Sequence, residues 1–167
     1  MTITKVLVPS GVLGLGFDIE ALRRGIKNKP DIISIDGGST DSGPTSLGSG
    51  TSKYSRAAIK SEWKTLMQAR KEANVPLIIG TCGTCGTNSM VDWMEEITIE
   101  LAKELGQSLK IAKLYCEQNI EFLKSKFKIN KIFPLEPAPT LNVHLLNDLS
   151  HVVALAGAEQ VIEAINT

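Results

Sequence analysis

The residues with the most chemical character gather in three stretches. Asp36 and Asp41 lie five residues apart in the run Asp36-Gly37-Gly38-Ser39-Thr40-Asp41-Ser42-Gly43-Pro44, which continues through Gly48-Ser49-Gly50. Carboxylates set among hydroxyls and flexible backbone can bind a polyoxygenated or carboxylate substrate, hold a hard cation, or move a proton. The plainer alternative is a solvated loop with aspartate as its turn former. The run is too long and too polar for a mere connector, which favours function. Asp36 and Asp41 are the acid–base candidates, with Ser39, Thr40 and Ser42 as ligand-binding hydroxyls.

The second stretch is Gly80-Thr81-Cys82-Gly83-Thr84-Cys85-Gly86-Thr87-Asn88-Ser89. It leads into a predicted helix, so its N–H groups could cradle an anion through Gly83, Thr84, Gly86, Thr87 and Asn88. Cys82 and Cys85 form a C-x-x-C pair, and thiols near a helix start can be redox-active or bind metal. Two thiolates do not complete a zinc site. Cys116 is the only other cysteine, and three cysteines with an open position would suit an iron–sulfur hydratase. Small residues lining a pocket are the preferred reading, and no metal is expected.

The third stretch, Ser10-Gly11-Val12-Leu13-Gly14-Leu15-Gly16, brings Gly11, Gly14 and Gly16 to a strand-to-helix turn. Its order is G-x-x-G-x-G, not the dinucleotide fingerprint G-x-G-x-x-G, and only Asp36 is placed for a ribose role. A tight turn competes with ligand binding here. Asp92, Glu117 and Glu159 follow other predicted strands. Each alone is more often structural; converging, they would shift one another's pKa and become acid–base candidates. His144 and His151, the two histidines, read as packing or capping residues.

Alternating short apolar runs and amphipathic runs must position these residues. Strands are predicted over residues 3–8, 31–35, 76–79, 108–116, 131–133 and 151–156. Helices are predicted over 17–27, 55–74, 89–105, 118–127, 141–149 and 158–165. Ile59, Trp63, Leu66 and Met67 form the clearest apolar stripe. Ser89 is predicted to cap its helix in a reciprocal box with Asp92, and Gly106 to stop it. This alternation implies an α/β fold, a doubly wound, Rossmann-like parallel sheet with helices on both faces, in one domain over 1–167. In such sheets ligands bind beyond the carboxyl ends of the strands, where all three stretches fall.

Composition narrows the rest. Eighteen Lys and Arg balance eighteen Asp and Glu over 167 residues, and 43% are hydrophobic. A globular domain follows, with no field to hold nucleic acid and no run long enough for a membrane helix. An odd cysteine count and the lack of a leader point to the cytoplasm. No complete motif names a cofactor.

The run from Asp36 to Pro44 with Leu47-Gly48-Ser49-Gly50 resembles the signature loop of the acyclic terpene utilisation AtuA family. Further matches are Pro9-Ser10-Gly11, Leu13-Gly14-Leu15-Gly16-Phe17, Pro76-Leu77-Ile78-Ile79-Gly80, Val91-Asp92-Trp93, Tyr115 with Glu117-Gln118, and Ala156-Gly157-Ala158-Glu159. The resemblance spans the chain but only the N-terminal part of the longer family members. Relatives carry small residues where Cys82 and Cys85 stand. The resemblance implies a lyase or hydratase step on a carboxylic acid or acyl-CoA ester. It also carries Asp36, Ser39, Thr40, Asp41, Ser42, Asp92, Glu117 and Glu159 over as site candidates. A homo-oligomer, or a second chain supplying the rest of the family's fold, is the expected assembly; a non-catalytic ligand-binding or assembly subunit is the alternative.

Overall fold

Ile33 and Ile35 alternate with Ile32, Ser34 and Asp36 along one short β-branched run, and that alternation decides which side of the sheet is the core. The computed structural model describes residues 3–38 and 43–167. Three parallel strands, β1 (Val6–Leu7), β2 (Ile32–Asp36) and β3 (Leu77–Gly80), stand in the order β1-β2-β3. Leu7 pairs with Ile33, Ile33 with Leu77 and Ile35 with Ile79. Partners in a parallel ladder share a face, so these five side chains form one apolar surface; Ile33 and Ile35 lie in the buried core, and Leu7, Leu77 and Ile79 pack against it.

Helices α1 (Ile19–Lys27), α3 (Arg56–Ala73) and α4 (Asn88–Leu105) supply the other side of that core; α2 (Thr45–Ser49) is a single short turn. Asp18 opens α1 by accepting from the N–H groups of Glu20 and Ala21 at 2.8 and 3.1 Å. Ser55 opens α3, and Asn74 closes it in the left-handed conformation. The stripe Ile59, Trp63, Leu66 and Met67 is buried, as is Ala69. On α4 the buried set is Val91, Met94, Ile97 and Leu101. Both crossovers step in the same direction, so right-handed connections put α1 and α3 on one face. On the opposite face Val6 and Val8 are 55% and 59% exposed, while Ile32 and Ile78 are half-buried.

A ladder of charge ties α3 to α4. Arg56 pairs with Glu100, Lys60 bridges Glu100 and Glu104 at 3.0 and 2.7 Å, and Lys64 pairs with Glu104. Hydrogen bonds from Arg56 and Lys60 hold the Glu100 carboxyl down at about 2. A depressed acid stabilises the fold above its unfolded pKa and loses that contribution as pH falls toward the folded value. The ladder is solvent-exposed, so Glu100→Gln should lower the melting temperature by only a few degrees at neutral pH, and less in high salt. Thermal scans at two salt concentrations measure this.

The C-terminal third departs from the sequence expectation. Residues 108–116 make no ladder and run along α4, with Lys113 on Asp92 and Glu95 and Tyr115 on Asp92. Residues 131–133 form no strand, and Phe133 is 72% exposed. Of residues 151–156 only Val153 bridges, antiparallel to Glu117. Apolar runs report burial, not partners, and here side-chain contacts to α4 replace strand pairing. Helices α5 (Ile120–Lys128), α6 (Val143–Asp148) and α7 (Ala158–Asn166) fall where expected. The Ser89–Asp92 box does not form: Thr87 is the cap position of α4, and Asp92 is drawn to Tyr115 and Lys113. Helix α2 forms inside an expected loop because Pro44 precedes it and Gly50 ends it left-handed.

Candidate functional site

Three loops leave the carboxyl ends of the three strands, and backbone bonds lash them together. The Leu13 N–H donates to the Asp36 carbonyl at 2.8 Å, Gly37 N–H to the Gly80 carbonyl at 2.6 Å, and Thr84 N–H to the Gly37 carbonyl at 3.2 Å. A Cβ at Gly37 would fall 2.6 Å from the Gly80 carbonyl oxygen, so the backbone at Gly37 lies flat against the start of the third loop. Asp36 turns back and accepts from the Gly38 N–H at 3.0 Å. Ser39, Thr40, Asp41 and Ser42 lie outside the described residues.

The first loop already holds an anion, and the protein supplies it. Glu62 reaches over from α3 and accepts from the N–H groups of Gly14 and Gly16 at 2.7 and 2.8 Å. Both glycines have positive φ, and a Cβ on Gly14 would collide with Tyr54. Gly11 has open space around it. Glutamate 62 was not recognisable as a partner from sequence because 46 and 48 residues separate it from the glycines it holds.

The third loop is strained and closely packed. Thr81 and Thr84 both have positive φ, at 48° and 73°, which β-branched residues rarely adopt. The buried Thr84 hydroxyl accepts from the Lys53 N–H at 3.1 Å. Thr87 is fully buried, and its hydroxyl lies 3.0 Å from Ser89 Oγ and 3.5 Å from Cys85 Sγ. Its hydroxyl is therefore diverted from capping α4. The cap comes from Glu117, whose Oε2 accepts from the Asn88 N–H at 3.0 Å, while Asn88 Oδ1 accepts from the Glu117 N–H at 3.4 Å. The helix start proposed for an external anion thus carries a carboxylate of the chain itself.

The other carboxylate oxygen of Glu117 meets His151 Nδ1 at 2.5 Å. Two bonds flank this pair: Gln118 N–H to the Val152 carbonyl at 2.7 Å and Ala154 N–H to the Cys116 carbonyl at 2.9 Å. They set Glu117 opposite Val153, and alternation puts His151 on the same side, facing the third loop, where a Gly86 Cβ would touch Val153. The far nitrogen, Nε2, faces Gly50 at the end of α2. Position alone marked His151 as packing; pairing across 34 residues reveals its partner. Burial pushes the Glu117 carboxyl up, but the His151 bond and the Asn88 N–H outweigh it, and the group stays below its ordinary range.

Other candidates lie apart. The Tyr115 hydroxyl and Lys113 ammonium hold Asp92 below its ordinary range in an exposed cluster on α4. Glu159 is in the first turn of α7, folded back over Gly157. Cys116 and Gln118 point away from the third loop and line a shallow cavity of about 250 Å³. A larger hollow of about 490 Å³, between the carboxyl ends of α3 and α4, lies at the other end of the sheet. Among the described residues no group of three or more His, Cys, Asp and Glu side chains is placed to hold a metal, and no helix is long and apolar enough to cross a membrane.

The Cys82 thiol differs from an activated one. Cys85 is buried, and burial pushes the Cys82 thiol up to about 11. Alkylation of Cys82 at neutral pH is expected to run at least ~10-fold slower than that of a free cysteine peptide, because only thiolate reacts. Mass spectrometry of iodoacetamide-treated native protein measures this, and rapid labelling would restore the redox reading. Comparison with family models, with curated proteins and with solved structures finds no match for this chain.

Proposed function

We propose that the chain is a lyase or hydratase, or a subunit of one, acting on a carboxylic acid or an acyl-CoA ester. The observation that carries the reading is the convergence of polar loops at the carboxyl end of the parallel sheet, with Glu117 brought beside the third loop from the C-terminal half. Addition or elimination beside a carbonyl needs a proton carrier and donors for a developing oxyanion. The AtuA-like loop supports the same class and adds Asp41, with Ser39, Thr40 and Ser42, as its hydroxyl and carboxylate set. The finer fold reading, a doubly wound Rossmann-like sheet covered on both faces, belongs to this proposal too, as does a cytoplasmic home suggested by the odd cysteine count. The test is incubation in heavy water with branched 3-hydroxyacyl-CoA and 2-enoyl-CoA esters and their free acids, read by deuterium at C2. Exchange with one member supports the reading; no exchange across the panel sinks it.

A second reading has its own support. Val6 and Val8 are exposed on the open face of the sheet, and Leu155 is 99% exposed. Such surface suits a non-catalytic or assembly subunit that completes a partner chain's site. Native mass spectrometry of protein from its own source separates the two: a second chain favours this reading, a lone chain or homo-oligomer the first.

A further inference from the structure

We propose that His151 is the general base of this site and that Glu117 is its positioning residue. The inference rests on the lyase reading above and adds to it the atom that takes the proton. Glu117 is clamped at both oxygens, by His151 Nδ1 at 2.5 Å and by the Asn88 N–H at 3.0 Å, and its own N–H returns to Asn88 Oδ1. An ionised carboxylate accepts only, so the neutral imidazole must carry its proton on Nδ1 and keep its lone pair on Nε2. That nitrogen faces Gly50 at the end of α2, and the side chain is 26% exposed.

The step balances as follows. The Nε2 lone pair takes the proton from the carbon beside the substrate carbonyl, and the C–H bonding pair becomes that of an enolate. The enolate expels the β-oxygen, which receives the same proton from Nε2 and leaves as water. His151 returns to neutral, and Glu117 stabilises the imidazolium between the two transfers.

Two measurements on the full chain test this. In the heavy-water panel, His151→Asn should slow C2 exchange by roughly 10²-fold or more while thermal unfolding is retained. Wild-type-like exchange by that variant overturns the role of His151 and leaves the lyase reading standing; an inactive wild type removes both. Independently of turnover, ¹⁵N NMR of histidine-labelled wild type, read on the neutral imidazole at alkaline pH, should show a protonated Nδ1 and an unprotonated Nε2 on His151. Glu117→Gln should release that preference into a mixture. A proton on Nε2 in the wild type would overturn the proposal whatever the variants do.

Discussion

Gly38→Ala is expected to destabilise the protein by about 2–5 kcal/mol, combining backbone strain with overpacking. Gly38 has φ of 150°, and a Cβ there would fall 2.3 Å from Thr84 Cα, with Thr84 Oγ1 and Cβ inside 3 Å as well. The obstructing atom is backbone, so no side-chain rotation relieves it. Thr84 cannot retreat easily, since its N–H holds the Gly37 carbonyl, its hydroxyl holds the Lys53 N–H, and it is itself buried at positive φ. Separation of the second loop from the third should follow. Urea unfolding should show a lower midpoint with an unchanged slope, because the surface exposed on unfolding is the same. An unchanged midpoint would mean that the loops are not docked as described.

Gly50→Ala should act on the chemistry more than on the fold. Position 50 ends α2 at φ of 64°, where a non-glycine residue costs roughly 1–2 kcal/mol. The added Cβ would sit 2.7 Å from His151 Nε2 and 3.2 Å from Cε1, so the imidazole has to swing off its present line. Displacing a reacting group by about an ångström can cost on the order of 10²-fold in rate. C2 exchange by Gly50→Ala should therefore fall about as far as that scale, with unfolding shifted modestly. The histidine NMR signal of position 151 should move in the same variant. Full exchange with an unmoved signal would show that Nε2 does not face this turn.

Half of this architecture is legible in the chain, for physical reasons that can be named. Ile59, Trp63, Leu66 and Met67 recur at helical spacing and are buried where α3 meets the sheet. Gly106 closes α4 in the left-handed conformation, and the three parallel strands overlap the runs predicted for them, β2 and β3 each running one residue further. Residues 108–116 failed as a strand because alternating apolar residues say only that one side is covered. Lys113 and Tyr115 find that cover on the acidic side of α4. The glycines and Glu117 of the candidate site stand out in the sequence, but its wiring does not. Glu62 and His151 look ordinary in sequence, since a carboxylate about two turns into α3, past the Ser55 cap, and a lone histidine announce no partner. Their roles arise only when residues 46 and 34 positions away arrive beside them. Asp41, one of the two acid–base candidates of its run, lies with Ser39, Thr40 and Ser42 outside the described residues.

The bidentate grip of Glu62 on Gly14 and Gly16 also bears on how such a chain could change its trade. The turn presents two converging N–H groups, and the Glu62 carboxylate occupies both. The wild-type protein should accordingly gain no thermal protection from inorganic phosphate through this turn. A single change of Glu62 to alanine would vacate it, leaving two converging N–H groups free for a stranger. The glutamate thus makes this turn an internal brace between the first loop and α3.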